Sequence, residues 1–284
     1  LNYGPDYGAC HYLESETNVH MLAMASNAQA YGLSLEDAFQ YSFIGDITFN
    51  EAAFDWIITS NFRNNLPMIY DESAPVDDKN MLHYQFRGWA KYGDIARLFG
   101  WQDGIGKVNG MFYTEGEKRV GKACEETPMS IGRDEYIEVA SKALNVNMAP
   151  LFHFWGIIPS DELASELAVT YPKSEAIYEL IKNYREQVAP LSFEDYQTFH
   201  DQIYLKSGYQ QPRYDFYLTD FSDTYVEEIQ AQFDLLIEKY GLDKVNTAPT
   251  ISIDEHQAIF EEGSSVMLSV SISDPDVQAH SILW

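Results

Sequence analysis

Glu16-Thr17-Asn18-Val19-His20-Met21-Leu22-Ala23-Met24-Ala25-Ser26-Asn27-Ala28-Gln29-Ala30-Tyr31-Gly32 reads as one helix closed by a glycine C-cap. Helical spacing puts Glu16 on the same face as Val19, Ala23 and Ala30, a face of apolar and small residues. A carboxylate facing a core needs a partner, because an unpaired buried charge is expensive. A metal ion is one such partner, and zinc accepts carboxylate oxygen and imidazole nitrogen together. His11, Glu14, Glu16 and His20 crowd this one segment, with Glu16 and His20 a single turn apart. Glu16 is therefore the candidate metal ligand, and His20 its candidate neighbour. The plainer account is a helix N-terminus whose acids favour the dipole, with a hydrogen-bonded core histidine.

Working outward, helix signals continue. Residues 1–13 read as a Gly/Tyr/Pro loop. Ser34 with Asp37 starts a second helix, and Thr48 with Glu51 forms a capping box for a third, running to about Asn64. A long helix is expected from about Asp77 to Phe99, with Leu82, Phe86, Trp89 and Ala96 along one face. Glycines crowd residues 100–131, so loops and a short hairpin are expected there; a long loop in a compact domain is often functional. Further helices are expected over about 133–144, 148–155, 161–170, 173–187, 193–207 and 223–240. Composition shifts at Asn246-Thr247-Ala248-Pro249, a linker signal. Beyond it Ile251 and Ile253, then Val266, Leu268, Val270 and Ile272, alternate with polar residues around a turn at Glu261-Glu262-Gly263.

The expected fold is thus mainly α. Residues 1–245 form a helical domain, and residues 246–284 a linker and the first strands of a β module. Those strands resemble the start of an immunoglobulin-like or cadherin-like extracellular module, including Ser273-Asp274-Pro275-Asp276. Three strands cannot enclose a sandwich core. Leu1 is not an initiator Met, and the chain stops inside a strand pattern, so it reads as part of a larger protein.

The composition narrows the partners. The chain has 284 residues, 45% of them hydrophobic, enough for a substantial core. Its 18 basic and 44 acidic residues give a formal charge of −26, which repels nucleic-acid phosphates and anionic membranes. No apolar run approaches the roughly 20 residues of a membrane span. Cys10 and Cys124 form a disulfide in an oxidising compartment or remain two buried thiols. There is no H-E-x-x-H, no G-x-S-x-G elbow and no phosphate-binding glycine loop in the chain. With this many acids, a paired-carboxylate glycosidase stays open as a further reading.

Three stretches, in order, carry a family resemblance. Ser15 to Met24, ending in Tyr31-Gly32, resembles the glutamate helix of the enhancin-like, mucin-degrading zinc metallopeptidases, among them bacterial immunomodulating metalloproteases and accessory-colonisation-factor lipoproteins. Asp78 to Ala90 resembles a family helix with spaced Asp, Gln and Trp, with Lys79 where arginine is commoner. Arg133 to Lys142, followed by Asn147 to Gly156, resembles the helix pair that closes the family's catalytic domain. The resemblance covers roughly residues 10–160.

The resemblance implies a gluzincin-like helical subdomain in a protein secreted or held at a bacterial cell surface. Glu16 would be its third zinc ligand. The family's H-E-x-x-H helix, which would lie before Leu1, would supply two histidines and the general base. The implied substrates are O-glycosylated, mucin-type proteins cut beside modified Ser or Thr. Tyr84, Arg87 and Trp89 are candidate substrate contacts, since aromatic faces and planar donors suit sugars; core packing is the plainer account of Trp89. His83 and His153 read as satisfied histidines rather than ligands. Calcium is a second candidate ion at Asp71, Glu72, Asp77 and Asp78, or at Asp254, Asp274 and Asp276, against the plainer account of solvated acids. The alternative to a peptidase is a noncatalytic acidic helical module that binds glycans or a surface partner.

Overall fold

The computed structural model describes residues 24, 28–40, 48–68, 81–111, 133–206, 222–243, 250–253 and 270–273. Side chains are described for these residues except 40, 81–89, 133, 200, 202–206 and the two strands. The described body is mainly helical, as the periodicity indicates.

Local signals set most of the boundaries. Residues 28–31 end a helix at Gly32, whose φ is 64°, and the Leu33 N–H closes onto the Ala28 carbonyl at 3.1 Å. That is the left-handed helix stop that glycine makes without steric cost. Ser34 caps α1 (Leu35–Gln40), its hydroxyl accepting from the Asp37 N–H. Thr48 and Glu51 form the reciprocal capping box of α2 (Phe49–Ile57).

The single helix expected from Thr48 to about Asn64 is in fact two. Thr59 takes extended backbone, donates its hydroxyl to the Trp56 carbonyl at 2.7 Å and accepts from the Phe62 N–H at 3.2 Å. It closes α2 and caps α3 (Ser60–Arg63) with one side chain. Short hydroxyl side chains compete with the helical ladder in this way.

The long helix, α4 (Met81–Phe99), is present. The loop expected after it is corrected for residues 101–111. Gly100 turns the chain at φ 84°, a π-helix runs Trp101–Gly106, and residues 107–111 are helical. Ile105 and Val108 are buried, so an apolar period survives among the glycines. A Cβ on Gly104 would lie 2.9 Å from the Ile95 carbonyl oxygen and 3.0 Å from the Phe99 Cβ. This glycine therefore allows close packing onto the end of α4 rather than marking a loop. Of the region expected to hold loops and a short hairpin, residues 100–131, the part from 112 on lies outside the described residues.

α5 (Arg133–Leu144) and α6 (Ala149–Phe154) follow as expected. Ser141 Oγ accepts from the Met148 N–H and donates to the Ile137 carbonyl, while Asn147 Oδ1 accepts from the Ala149 N–H. These buried side chains satisfy the first amides of α6, which would otherwise be orphaned in the core. Ser160 caps α7 (Asp161–Thr170) and Ser174 caps α8 (Glu175–Asn183). α8 widens into a second π-helix over Tyr184–Val188. α9 (Phe193–Lys206) and α10 (Asp223–Tyr240) complete the helices, and Gly241 at φ 54° stops α10.

The core converges on Phe154. Its ring stacks on Tyr184 at 5.0 Å and meets Trp155, Phe62 and Phe233 at 5.0, 5.8 and 6.0 Å. α3, α6, the second π-helix and α10 thus share one aromatic centre. α2 packs tightly on α4 at Gly93, where a Cβ would lie 1.9 Å from Phe49 Cε1. Phe49 is in turn stacked on Phe39 of α1 at 4.1 Å.

Two strands are described, β1 (Thr250–Ile253) and β2 (Val270–Ser273), paired antiparallel. Ile251 stands opposite Ile272 and Ile253 opposite Val270, so the apolar positions share one face of the ladder. The residues expected to turn between them, and Val266 and Leu268, lie outside the described residues.

Candidate functional site

Glu16, the candidate zinc ligand, and His20 lie outside the described residues, as do His11, Glu14, Cys10, Cys124 and both groups of acids considered for calcium. Tyr84, Arg87 and Trp89 sit in the N-terminal half of α4, where the backbone is helical and the side chains are not described. Among the described residues no three His, Cys, Asp or Glu side chains gather as a metal site. Glu16, His20, His11 and Glu14 are of the carboxylate and imidazole donor types that zinc accepts.

What the structure shows in detail is how the C-terminal half of α4 is held. Asp94 is fully buried. Its Oδ2 accepts from Trp155 Nε1 at 2.8 Å, and its Oδ1 accepts from the Tyr184 hydroxyl at 2.8 Å and from Arg97 Nη1 at 3.2 Å. Arg97 also reaches the Tyr184 oxygen at 3.2 Å and bridges to Glu36 of α1 at 3.2 Å. Its guanidinium lies 4.9 Å over the Phe49 ring. One carboxylate thereby ties α4 to the residue after α6 and to the first residue of the second π-helix.

The electrostatics at this hub oppose one another. Burial raises the Asp94 carboxyl from its usual 3.8 to about 6, while Arg97, Tyr184 and Trp155 all pull it back down. Tyr184 is pushed well above its ordinary range, first by burial and then by the neighbouring carboxylate. It is therefore a neutral hydroxyl donor at physiological pH.

Lys91, one turn before Asp94, is also buried, and burial lowers its ammonium from 10.5 to about 7. Its Nζ lies 5.1 Å over the Tyr92 ring, and the Tyr92 hydroxyl meets the Tyr136 hydroxyl of α5. Glu51 and Asp55, one turn apart on α2, are buried as well. The interior of this region carries several ionisable groups, which globular cores rarely hold without partners.

His153 is a core histidine. Its Nδ1 lies 2.8 Å from the Tyr240 hydroxyl and its Nε2 lies 2.7 Å from Asn65 Oδ1. Asn65 Oδ1 is an acceptor and also takes the Gln232 amide at 3.0 Å, so Nε2 carries the proton and Nδ1 accepts from Tyr240. Both nitrogens are used. Burial first, and the Lys239 charge second, hold the imidazole down at about 4, so it is neutral. This network ties α6 to α10 and to the turn after α3.

Asp94, Lys91, Arg97 and Tyr184 were not singled out by sequence. A signal was there: Ala90, Asp94 and Arg97 fall on one helical stripe, which pairs the carboxylate with a cation one turn on. Tyr184 carried no such signal, because its reach to Asp94 depends on the π-helical turn at the end of α8.

No family model, curated protein or solved structure matches this chain.

Proposed function

We propose that this chain is the helical part of a secreted or surface-held zinc metallopeptidase acting on O-glycosylated, mucin-type proteins, with Glu16 as the third zinc ligand. The observation that carries the reading is the ordered set of three stretches: Ser15 to Gly32, Asp78 to Ala90, and Arg133 to Gly156. Two features of the fold support it. The described body is mainly helical, and α4, which continues from the second stretch, contacts the third through Asp94–Trp155 and Tyr92–Tyr136. When bound, zinc would supply Lewis-acid polarisation of a scissile carbonyl. This chain would supply one carboxylate ligand from Glu16, with Tyr84, Arg87 and Trp89 as candidate substrate contacts. The strands after residue 246 would begin an immunoglobulin-like module.

Reading the polypeptide ahead of Leu1 tests this at once. An H-E-x-x-H helix is expected ahead of Leu1, within about thirty residues of Glu16. Its absence would overturn the peptidase reading and leave a noncatalytic acidic module that binds glycans or a surface partner. The isolated 284-residue chain is expected to be inactive on a mucin substrate, since two ligands and the base are not in it.

A further inference from the structure

We infer that the bond from Tyr184 to Asp94 is a proton-sensitive latch: taking up a proton on Asp94 reverses it and frees the second π-helical turn from α4.

Three side chains meet the Asp94 carboxylate, and all three donate. Trp155 Nε1 reaches Oδ2 at 2.8 Å, while the Tyr184 hydroxyl and Arg97 Nη1 reach Oδ1 at 2.8 and 3.2 Å. An indole N–H and a guanidinium cannot accept a hydrogen bond, whereas a phenol oxygen can. A proton on Oδ2 would therefore point at the Trp155 N–H. Of the three partners, only the Tyr184 oxygen can take a proton carried on Oδ1, and it already accepts from Arg97 Nη1 at 3.2 Å. The tyrosine must then turn its own hydroxyl proton away from Asp94, in a site where both residues are fully buried. Neutralising the acid thus exchanges a satisfied hydroxyl for an orphaned one, which a core resists.

Because Tyr184 lowers the Asp94 carboxyl, opening the bond raises it further. The closed latch is therefore favoured above about 6, where burial sets the carboxyl, and loses that advantage as pH falls through this value. Arg97 is the described charge that acts on Asp94, and Glu36 of α1 holds it from the far side at 3.2 Å. The neighbouring elements also carry Glu51 and Asp55 on α2, Lys91 on α4, His153 on α6 and Arg185 beside Tyr184. His153 titrates at about 4, below the latch, and Lys91 at about 7, at its upper edge.

The latch holds the π-helical turn Tyr184–Val188, which the Ala189 N–H closes on the Tyr184 carbonyl at 2.8 Å. Such turns are rare and often sit at functional sites. This one is fastened on two sides. Tyr184 ties it to α4, and Arg185 ties it to Gln230 and Asp234 of α10 at 3.0 and 2.6 Å. Acid releases the first fastening and leaves the second, so the response stays local to the turn.

The test is amide hydrogen exchange of the 284-residue chain at pH 7 and pH 5, read by mass spectrometry and corrected for the intrinsic rate. Wild-type amides over 184–189 are expected to lose protection roughly tenfold at pH 5, while α7 keeps its own. Asp94→Asn is expected to exchange fast over 184–189 already at pH 7, with no response to pH. Tyr184→Phe, which keeps the ring that stacks on Phe154, is expected to behave alike and decides the matter if Asp94→Asn fails to fold. Lys91→Met is expected to keep the wild-type response, which separates Asp94 from the other buried group titrating nearby. A wild-type turn equally protected at both pH values would overturn the inference. So would a wild-type response in Tyr184→Phe, loss of the response in Lys91→Met, or an equal loss of protection in α7, which would mark general loosening.

Discussion

Trp155 donates its indole N–H to Asp94 Oδ2 at 2.8 Å, joining residues 61 apart in sequence inside the protein core. The bond links the helix of the second family-like stretch to the end of the third. It also explains why Trp155 is fully buried without leaving its N–H unpaired. Trp155→Phe keeps an aromatic ring but removes the donor and part of the packed volume. The expected cost is about 1–3 kcal/mol, the penalty for a buried acceptor losing a partner. Urea denaturation should show a lower midpoint at unchanged slope.

Gly93 is required by close approach rather than by backbone conformation. Gly93→Ala puts a methyl group into the Phe49 ring and should destabilise by about 1–3 kcal/mol. Phe49→Leu in the same chain should recover part of that loss, so the double variant will be less destabilised than the sum of the singles. Thermal unfolding of the four-member cycle measures the coupling.

His153 makes stability depend on acid pH. Its pKa is lowered from 6.5 to about 4, so the folded state prefers the neutral ring. The stability it contributes is fully present above 6.5 and is lost as pH falls through 4, by at most about 3 kcal/mol. Asp94 opposes this: its raised carboxyl favours the folded state below 3.8, and that contribution is lost as pH rises through about 6. The two separate in a variant. His153→Gln should show a shallower fall in stability than wild type between pH 6.5 and 4, measured by urea titration at each pH.

Lys91 acts at the other end of the scale. Burial lowers it from 10.5 to about 7, so its contribution is present above 10.5 and is lost as pH falls through 7. Wild-type stability should therefore climb between pH 7 and 9, by up to about 1.4 kcal/mol per pH unit. Lys91→Met should lack this slope, whatever its absolute stability. A parallel pair of profiles would show that Lys91 stays charged in the folded chain.

Local chemistry made much of the helical frame legible. Gly32, Ser34, the Thr48–Glu51 box and the limits of α5, α7 and α10 follow from side chains acting within a few residues. Failures came where tertiary contacts decide. Thr59 splits a helix because its hydroxyl serves two backbone groups at once. Gly104 reads as a loop residue until Ile95 and Phe99 are seen packed against it. Asp94 shares a helical stripe with Ala90 and Arg97, but two of its partners come from 61 and 90 residues away, out of reach of local reading. For the candidate site, sequence supplied the residue names, Glu16 above all, and the structure supplies the frame that holds α4.

Zinc content of the Glu16→Gln variant tests the central claim most directly, measured in the longer polypeptide that carries the expected H-E-x-x-H helix ahead of Leu1. The account predicts one zinc per wild-type chain, and loss of most of that metal together with glycopeptide cleavage in Glu16→Gln. A wild-type zinc stoichiometry in the folded variant would contradict it.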